Sequence, residues 1–258
     1  MSAVRRLYGS MRALEFTELI SRVQPESTEK PAFMDSVPAA DPRRARTFIV
    51  DYGRGNLFGL VRAFEQLGES PIVTDDPEKL RQAGRIVLPG VGAFGDTMAE
   101  LQRRRLIDVL IDAGHGGTPV LGICVGCQVL LSSGDEHGSH AGLDLIAGRA
   151  CRLHEANDRT TSARVPNVGW RTITPSHLSS AVDHLAANDM VYFAHSYAPD
   201  GCDADVVAAS LSFNGRQVPA ALQQGVVVGV QFHPERSGPV GLSVLERFLR
   251  LQPKTGWT

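Results

Sequence analysis

The sequence predicts an α/β protein: an open, mainly parallel sheet with helices on both faces and an antiparallel extension. Three observations predict it. From Thr47 onward, short apolar runs alternate with segments of helical periodicity. The apolar runs end at glycine-bearing turns, as buried parallel strands do. After Gly148 strand-like runs follow one another with few helices between them, which suits antiparallel pairing.

In order, "TFIVDYG" reads as the first buried strand. "NLFGLVRAFEQLG" carries Leu57, Leu60, Val61, Phe64 and Leu67 at helical spacing and stops at Gly68. "SPIVTD" and "RIVLPG" are the next strands. "VGAFGDTMAELQRRRLIDVLIDAG" reads as a glycine-rich turn and one long helix. "TPVLGIC" is a fourth strand, and "GCQVLLSS" starts another helix. "ARVPNVGWRTI", "DMVYFAHSYA", "DVVAASLSF" and "VPAALQQGVVVGVQF" read as strands of the antiparallel extension. "GPVGLSVLERFLRL" is a closing helix. Alternation of this kind implies right-handed crossovers and a sheet covered on both faces.

Residues 1–46 differ in texture. A stretch able to form one amphipathic helix precedes a proline-rich, polar segment, and a poorly ordered extension is expected there. Arg5, Arg6 and Arg12 precede the first acid, Glu15, in the manner of a transit peptide, and Met11 and Met34 offer alternative starts. The folded domain is expected over 47–252.

The composition is that of an ordinary globular chain: 258 residues, 43% hydrophobic and 21% charged. A net charge of -2 argues against nucleic acid or an anionic membrane surface as partner. No apolar run approaches the roughly 20 residues that span a bilayer, and no secretory signal is recognisable. The cysteine count of 4 is too low for a disulfide scaffold, so a reducing, cytoplasmic setting is expected.

In open α/β sheets functional groups gather at the carboxyl ends of strands. Those ends carry "DYGRGN" (51–56), "PGVGAFG" (89–95), "GICVG" (122–126), "HSYA" (195–198) and "HPERS" (233–237). "GICVG" has the form of a nucleophile elbow, a tight strand-to-helix turn that exposes one side chain. Cys124 would sit at the start of a helix whose N–H groups favour the thiolate, and the N–H of Val125 would face an oxyanion. A thiolate needs a base and the base an orienting acceptor. His233 follows a strongly apolar strand, and Glu235, two residues on, shares its side of an extended segment. The glycines of "PGVGAFG" let Val91 or Gly92 supply a second oxyanion donor. Cys124 and Cys127 also form a C-x-x-C pair, but no second pair completes a zinc site, and a redox reading leaves His233 and Glu235 unexplained. No metal or cofactor is expected.

"GICVGCQ" with "GVQFHPE" resembles the class I (triad) glutamine amidotransferases. The ordered set "DYGRGNL", "LPGVGAFG", "PNVGW", "YFAHSYA" and "GVQFHPERS" is similar to the glutaminase subunits of imidazole glycerol phosphate synthases, from about Phe48 to Leu249. The resemblance implies a flavodoxin-like sheet and a Cys124-His233-Glu235 triad that hydrolyses L-glutamine. It implies that Gln128 and the segment His195, Ser196 and Tyr197 hold the substrate. It also implies that ammonia passes to a (β/α)8-barrel cyclase-type partner in a heterodimer, with Asn56, Trp170 and Arg236 as contacts. Departures from the family pattern are Asn167 for histidine and Arg171 for asparagine in "PNVGWR", Val125 and Cys127 in the elbow, and Gly59 for serine. Two alternatives stay open: a related subunit feeding another synthase, in surface-sugar amidination or secondary metabolism, and a free-standing cysteine hydrolase.

Overall fold

The computed structural model describes residues 46–154, 164–176 and 179–252. The extension expected over 1–46 lies outside them, apart from Arg46.

The expected strand-helix alternation is present. Strand β1 (Thr47–Val50) leads to α1 (Leu57–Gln66), whose N-terminus Asn56 caps by accepting from the Gly59 N–H. Strand β2 (Ile72–Thr74) is followed by the short helix α2 (Pro77–Leu80), started by Asp76 and Pro77. Strand β3 (Arg85–Leu88) enters the glycine-rich turn that opens α3 (Phe94–Arg103).

Here the structure corrects the single long helix. The chain breaks at Arg105, which takes φ 58°, and restarts as α4 (Ile107–His115). The break lets Leu101, Leu106 and Leu110 all reach the core, an advantage that outweighs the strain of a non-glycine residue in the left-handed region.

Strand β4 (Val120–Ile123) ends at the elbow and α5 (Val125–Val129). A second correction falls here: the "LLSS" read as helix is strand β5 (Leu131–Gly134), because it pairs with β7 (Ile146–Arg152), with β6 (His140–Ala141) on its other edge. The remaining strands are β8 (Asn167–Thr172), β9 (Thr174–Pro175), β10 (Met190–His195), β11 (Tyr197–Asp200), β12 (Val207–Phe213), β13 (Arg216–Gln224) and β14 (Val227–Val230). A 3-10 turn at Pro234–Arg236 precedes the closing helix α6 (Gly238–Leu249).

The main sheet has 8 strands in the order β2-β1-β3-β4-β14-β13-β12-β9. From β2 to β14 every pair is parallel, and β13, β12 and β9 add antiparallel strands at one side. The parallel part has the 2-1-3-4-5 order of flavodoxin-like sheets. Strands β1, β4 and β14 are buried throughout, as a sheet covered on both faces requires.

The expected antiparallel extension is therefore present but smaller than expected. "PNVGWRT" and "MVYFAH" leave the main sheet and form a separate two-stranded ribbon, β8 with β10. The ribbon's inner ends, Asn167 and His195, reach the carboxyl ends of the central strands, because the His233 N–H bonds to the Tyr192 carbonyl at 2.9 Å.

Candidate active site

The elbow is strained. Cys124 has φ 56° and ψ −112°, a conformation that only surrounding structure can impose on a non-glycine residue. That structure is visible. The Cys124 N–H bonds to the Val230 carbonyl at 2.8 Å, which ties the elbow to β14. Its carbonyl accepts from the N–H groups of Cys127 and Gln128, which starts α5. The turn closes so tightly that a Cβ on Gly126 would lie 1.9 Å from the Leu88 carbonyl oxygen. Gly90 is equally constrained: its Cβ would lie 2.5 Å from the Gly126 nitrogen. The "PGVG" loop thus rests directly on the first turn of α5. The buried Tyr52 phenol donates to the Pro89 carbonyl at 2.8 Å and pins the loop from beneath.

The second component comes from the end of β14. His233 Nδ1 lies 2.9 Å from Glu235 Oε1, and both side chains are almost wholly buried. The Ser237 hydroxyl donates to the His233 carbonyl at 2.6 Å and accepts from the Tyr192 N–H at 2.9 Å, fixing the histidine turn against the ribbon. Burial disfavours a charged imidazole, but hydrogen bonding to the Cys124 sulfur and to Glu235 more than offsets it. The His233 pKa is pushed up to about 10. A cationic imidazole beside the sulfur is the partner a thiolate requires.

A cavity of about 420 Å³ opens over these groups. Cys124, Val125, Gln128, His233 and Glu235 line it, as do Val91 and Gly92 of the loop and His195, Ser196 and Tyr197 after β10. Asn56 and Arg236 stand at its wall and are exposed. Of the residues expected in the triad, the oxyanion loop, the substrate site or the partner contacts, Trp170 alone does not line it. Trp170 lies on the outer face of β8, 47% exposed, with its ring edge-on to Tyr192; the Arg236 guanidinium sits 4.2 Å over the same tyrosine.

The structure adds residues that sequence reading missed. Glu136 lines the cavity and accepts the Phe94 N–H at 2.8 Å, which joins it to the start of α3. Its signal was the acidic pair in "SSGDEHG". Gln231, fully buried just past the end of β14, accepts from Gln128 at 3.0 Å and donates to the Cys124 sulfur at 3.8 Å. Asn167 is wholly buried: the alternation of β8 turns Asn167 and Arg171 inward and Val168 and Trp170 outward. Cys127 points away from the cavity. Its sulfur fills the space over Gly229, where a Cβ would come within 2.6 Å, and burial pushes its thiol well above the usual range. Among the described residues no group of His, Cys, Asp and Glu is arranged to hold a metal ion.

A cysteine on a strained elbow, a histidine held by a buried glutamate and a glycine loop against the elbow helix, all at the carboxyl edge of a 2-1-3-4-5 sheet, define a thiol hydrolase of the triad amidotransferase kind. The chain belongs to the class-I glutamine amidotransferases: the model of that family matches residues 48–251.

Within that class it is 42% identical over 206 residues to the imidazole glycerol phosphate synthase subunit HisH of Salinibacter ruber, covering 80% of this chain and 94% of that protein. It is 43% identical over 202 residues to the subunit of the same name from Lactiplantibacillus plantarum, covering 78% and 93%. Among solved structures, the crystal structure of a glutamine amidotransferase aligns with TM-score 0.61 at 17% identity, covering 79% of this chain and 97% of that one. PurLQS from Thermotoga maritima aligns with the same TM-score, 0.61, at 20% identity, covering 79% and 97%. At such identities these two show a shared fold.

Proposed function

We propose that this chain is the glutaminase subunit of an imidazole glycerol phosphate synthase, hydrolysing L-glutamine and delivering ammonia to a cyclase subunit in histidine biosynthesis. The observation that carries the chemistry is the 2.9 Å contact between His233 and Glu235 beside a cysteine at φ 56°. The relatives named as subunits of imidazole glycerol phosphate synthase, which match over some 80% of the chain, support the pathway.

In this reading the Cys124 sulfur attacks the side-chain amide carbon of glutamine. A C–S bond forms, and the oxyanion rests on the Val125 N–H and that of Val91 or Gly92. His233 gives its proton to the nitrogen, the C–N bond breaks and ammonia leaves. His233 then takes a proton from water, whose oxygen attacks the thioester. Breaking the C–S bond releases glutamate, and the thiolate and cationic imidazole are restored. Glu235 keeps the imidazole oriented throughout. Gln128 and the 195–197 segment hold the amino-acid end of the substrate, and the Glu136 carboxylate supplies a counter-charge for its α-ammonium group.

Ammonia released into water at neutral pH would be protonated, so a partner must cover the cavity. The exposed apolar side chains Val91, Val168 and Trp170, with Phe58 beyond Asn56, suit a subunit seated over the mouth. We take 47–252 as the catalytic unit, with residues 1–46 as an extension, in keeping with the span of the family match. Unpaired cysteines and the absence of any membrane-crossing helix among the described residues accord with a cytoplasmic enzyme.

The test is reconstitution. The chain, mixed with the cyclase subunit of a related synthase, should form imidazole glycerol phosphate with glutamine as the nitrogen source, and Cys124→Ala should abolish it. Glutaminase activity without any cyclase-dependent product would favour the reading that this subunit feeds a different synthase.

A further inference from the structure

A continuous line of buried and partly buried polar contacts runs from the ribbon to the nucleophile. Arg171 Nε donates to Asn167 Oδ1 at 3.0 Å. Asn167 Nδ2 lies 2.9 Å from His195 Nε2, its cross-strand neighbour. His195 Nδ1 lies 2.9 Å from the Tyr197 carbonyl, which also accepts from Gln128 Nε2 at 2.8 Å. Gln128 Nε2 donates again to Gln231 Oε1 at 3.0 Å, and Gln231 Nε2 meets the Cys124 sulfur at 3.8 Å.

The direction of this line follows from two fixed points, the Arg171 guanidinium and the Tyr197 carbonyl. An arginine can only donate, so Asn167 must present its oxygen to Arg171 and its NH2 to His195. His195 must therefore accept at Nε2 and carry its proton on Nδ1, facing the Tyr197 carbonyl. That carbonyl can only accept, so Gln128 turns its NH2 toward it and toward Gln231 Oε1. Gln231 is left with its NH2 aimed at the sulfur. Burial holds the His195 pKa down to about 4, so the neutral ring this scheme needs is the one present. The departures at 167 and 171 are thus a matched pair that fixes the His195 tautomer.

We infer that Gln231 is a further catalytic residue, donating an amide N–H to the Cys124 thiolate, its orientation set by Gln128 and the Tyr197 carbonyl. The inference rests on Cys124 being the nucleophile.

The charged and titratable groups around Cys124 are His233 and Glu235 after β14, His195 at the ribbon, Tyr52 under the loop, Cys127 on α5, and Glu136 and Arg236 at the cavity wall. None of them changes when Gln231 does.

The experiment measures iodoacetamide alkylation of Cys124 against pH in the full chain, with folding followed by circular dichroism. Gln231→Met keeps the bulk and removes the donor. The acid limb of its alkylation profile should move up by about one pH unit, the worth of a hydrogen bond to an ionised acceptor. Gln231→Glu should move it further. Gln128→Met removes the donor that holds Gln231 Oε1 away from the sulfur, and should move the limb in the same direction by less. A Gln231→Met profile that superposes on the parent overturns the inference. If Gln231→Met does not fold, an unmoved limb in Gln128→Met overturns it instead. Glutamate release by Cys124→Ala would remove the nucleophile reading itself, which is a different failure.

Discussion

His233 Nδ1 and Glu235 Oε1 lie 2.9 Å apart with the two side chains 8% and 5% exposed. Water does not screen this pair, so its effect on the imidazole is strong. His233 is held cationic up to about 10, against burial, with the Cys124 sulfur as the larger support and Glu235 as the second. The imidazole loses its proton as pH rises through that value. We therefore expect kcat/KM for glutamine to fall on the alkaline side near pH 10. Glu235→Gln removes one support, so the alkaline limb should shift to lower pH, and kcat should drop about 10²-fold or more as the imidazole loses its orientation. A limb that stayed in place in the variant would count against a role for Glu235 in holding the charge.

The elbow makes a separate, steric prediction. Gly126→Ala sets a Cβ 1.9 Å from the Leu88 carbonyl oxygen, where only backbone could yield. The loss of stability should be on the order of 3 kcal/mol, the upper range for overpacking a tight interior. Urea unfolding measures it. Gly68→Ala is the control for space alone, because no atom lies within 4 Å of the Cβ it adds, although its φ of 82° adds strain. A Gly126→Ala midpoint no lower than that of Gly68→Ala would show that the loop is not seated on α5 as described.

Much of this architecture was readable from apolar periodicity and glycine placement, because each parallel strand and its crossover helix carry their pattern locally. What was hidden depended on distant partners. Leu131–Gly134 reads as a continuing helix until Ile146–Arg152 arrives to pair with it. Arg105 carries no turn signal; the break there serves the burial of Leu106, set by packing far along the chain. Cys124, His233 and Glu235 stood out as candidates because a nucleophile turn and a His-x-Glu spacing are local. Gln231 and Asn167 did not, since their contacts at the site, Cys124, Gln128 and His195, lie far off in sequence. The inward face of Asn167 depends on the register of β8 against β10.

His195 yields a prediction about stability. Its pKa in the fold lies near 4, lowered by burial, against 6.5 in the free side chain. Above pH 6.5 both folded and unfolded states are neutral at this site, and its contribution is fully present. As pH falls from 6.5 toward 4 the unfolded chain takes up a proton that the folded one refuses, and stability is lost, on the order of 3 kcal/mol across that window. The urea midpoint of the parent should fall between pH 6.5 and 4 more steeply than that of His195→Gln, which has nothing to titrate there. Parallel curves for the two would show that His195 is not held neutral.

Trp170 and Arg236 sandwich the edge and face of Tyr192, with the Trp170 centroid 6.1 Å and the Arg236 guanidinium 4.2 Å from its ring. Half-exposed tryptophan and arginine, rigidified by a shared aromatic neighbour and standing beside a cavity mouth, are the side chains from which binding hot spots are built. Trp170→Ala should weaken association with a cyclase-type subunit about ten-fold or more. Its outer-face position should leave the unfolding midpoint close to the parent's. Calorimetric titration of the two subunits measures the first effect and urea unfolding the second. An unchanged dissociation constant would move the docking surface away from the outer face of β8, toward the Asn56 and Phe58 side of the mouth.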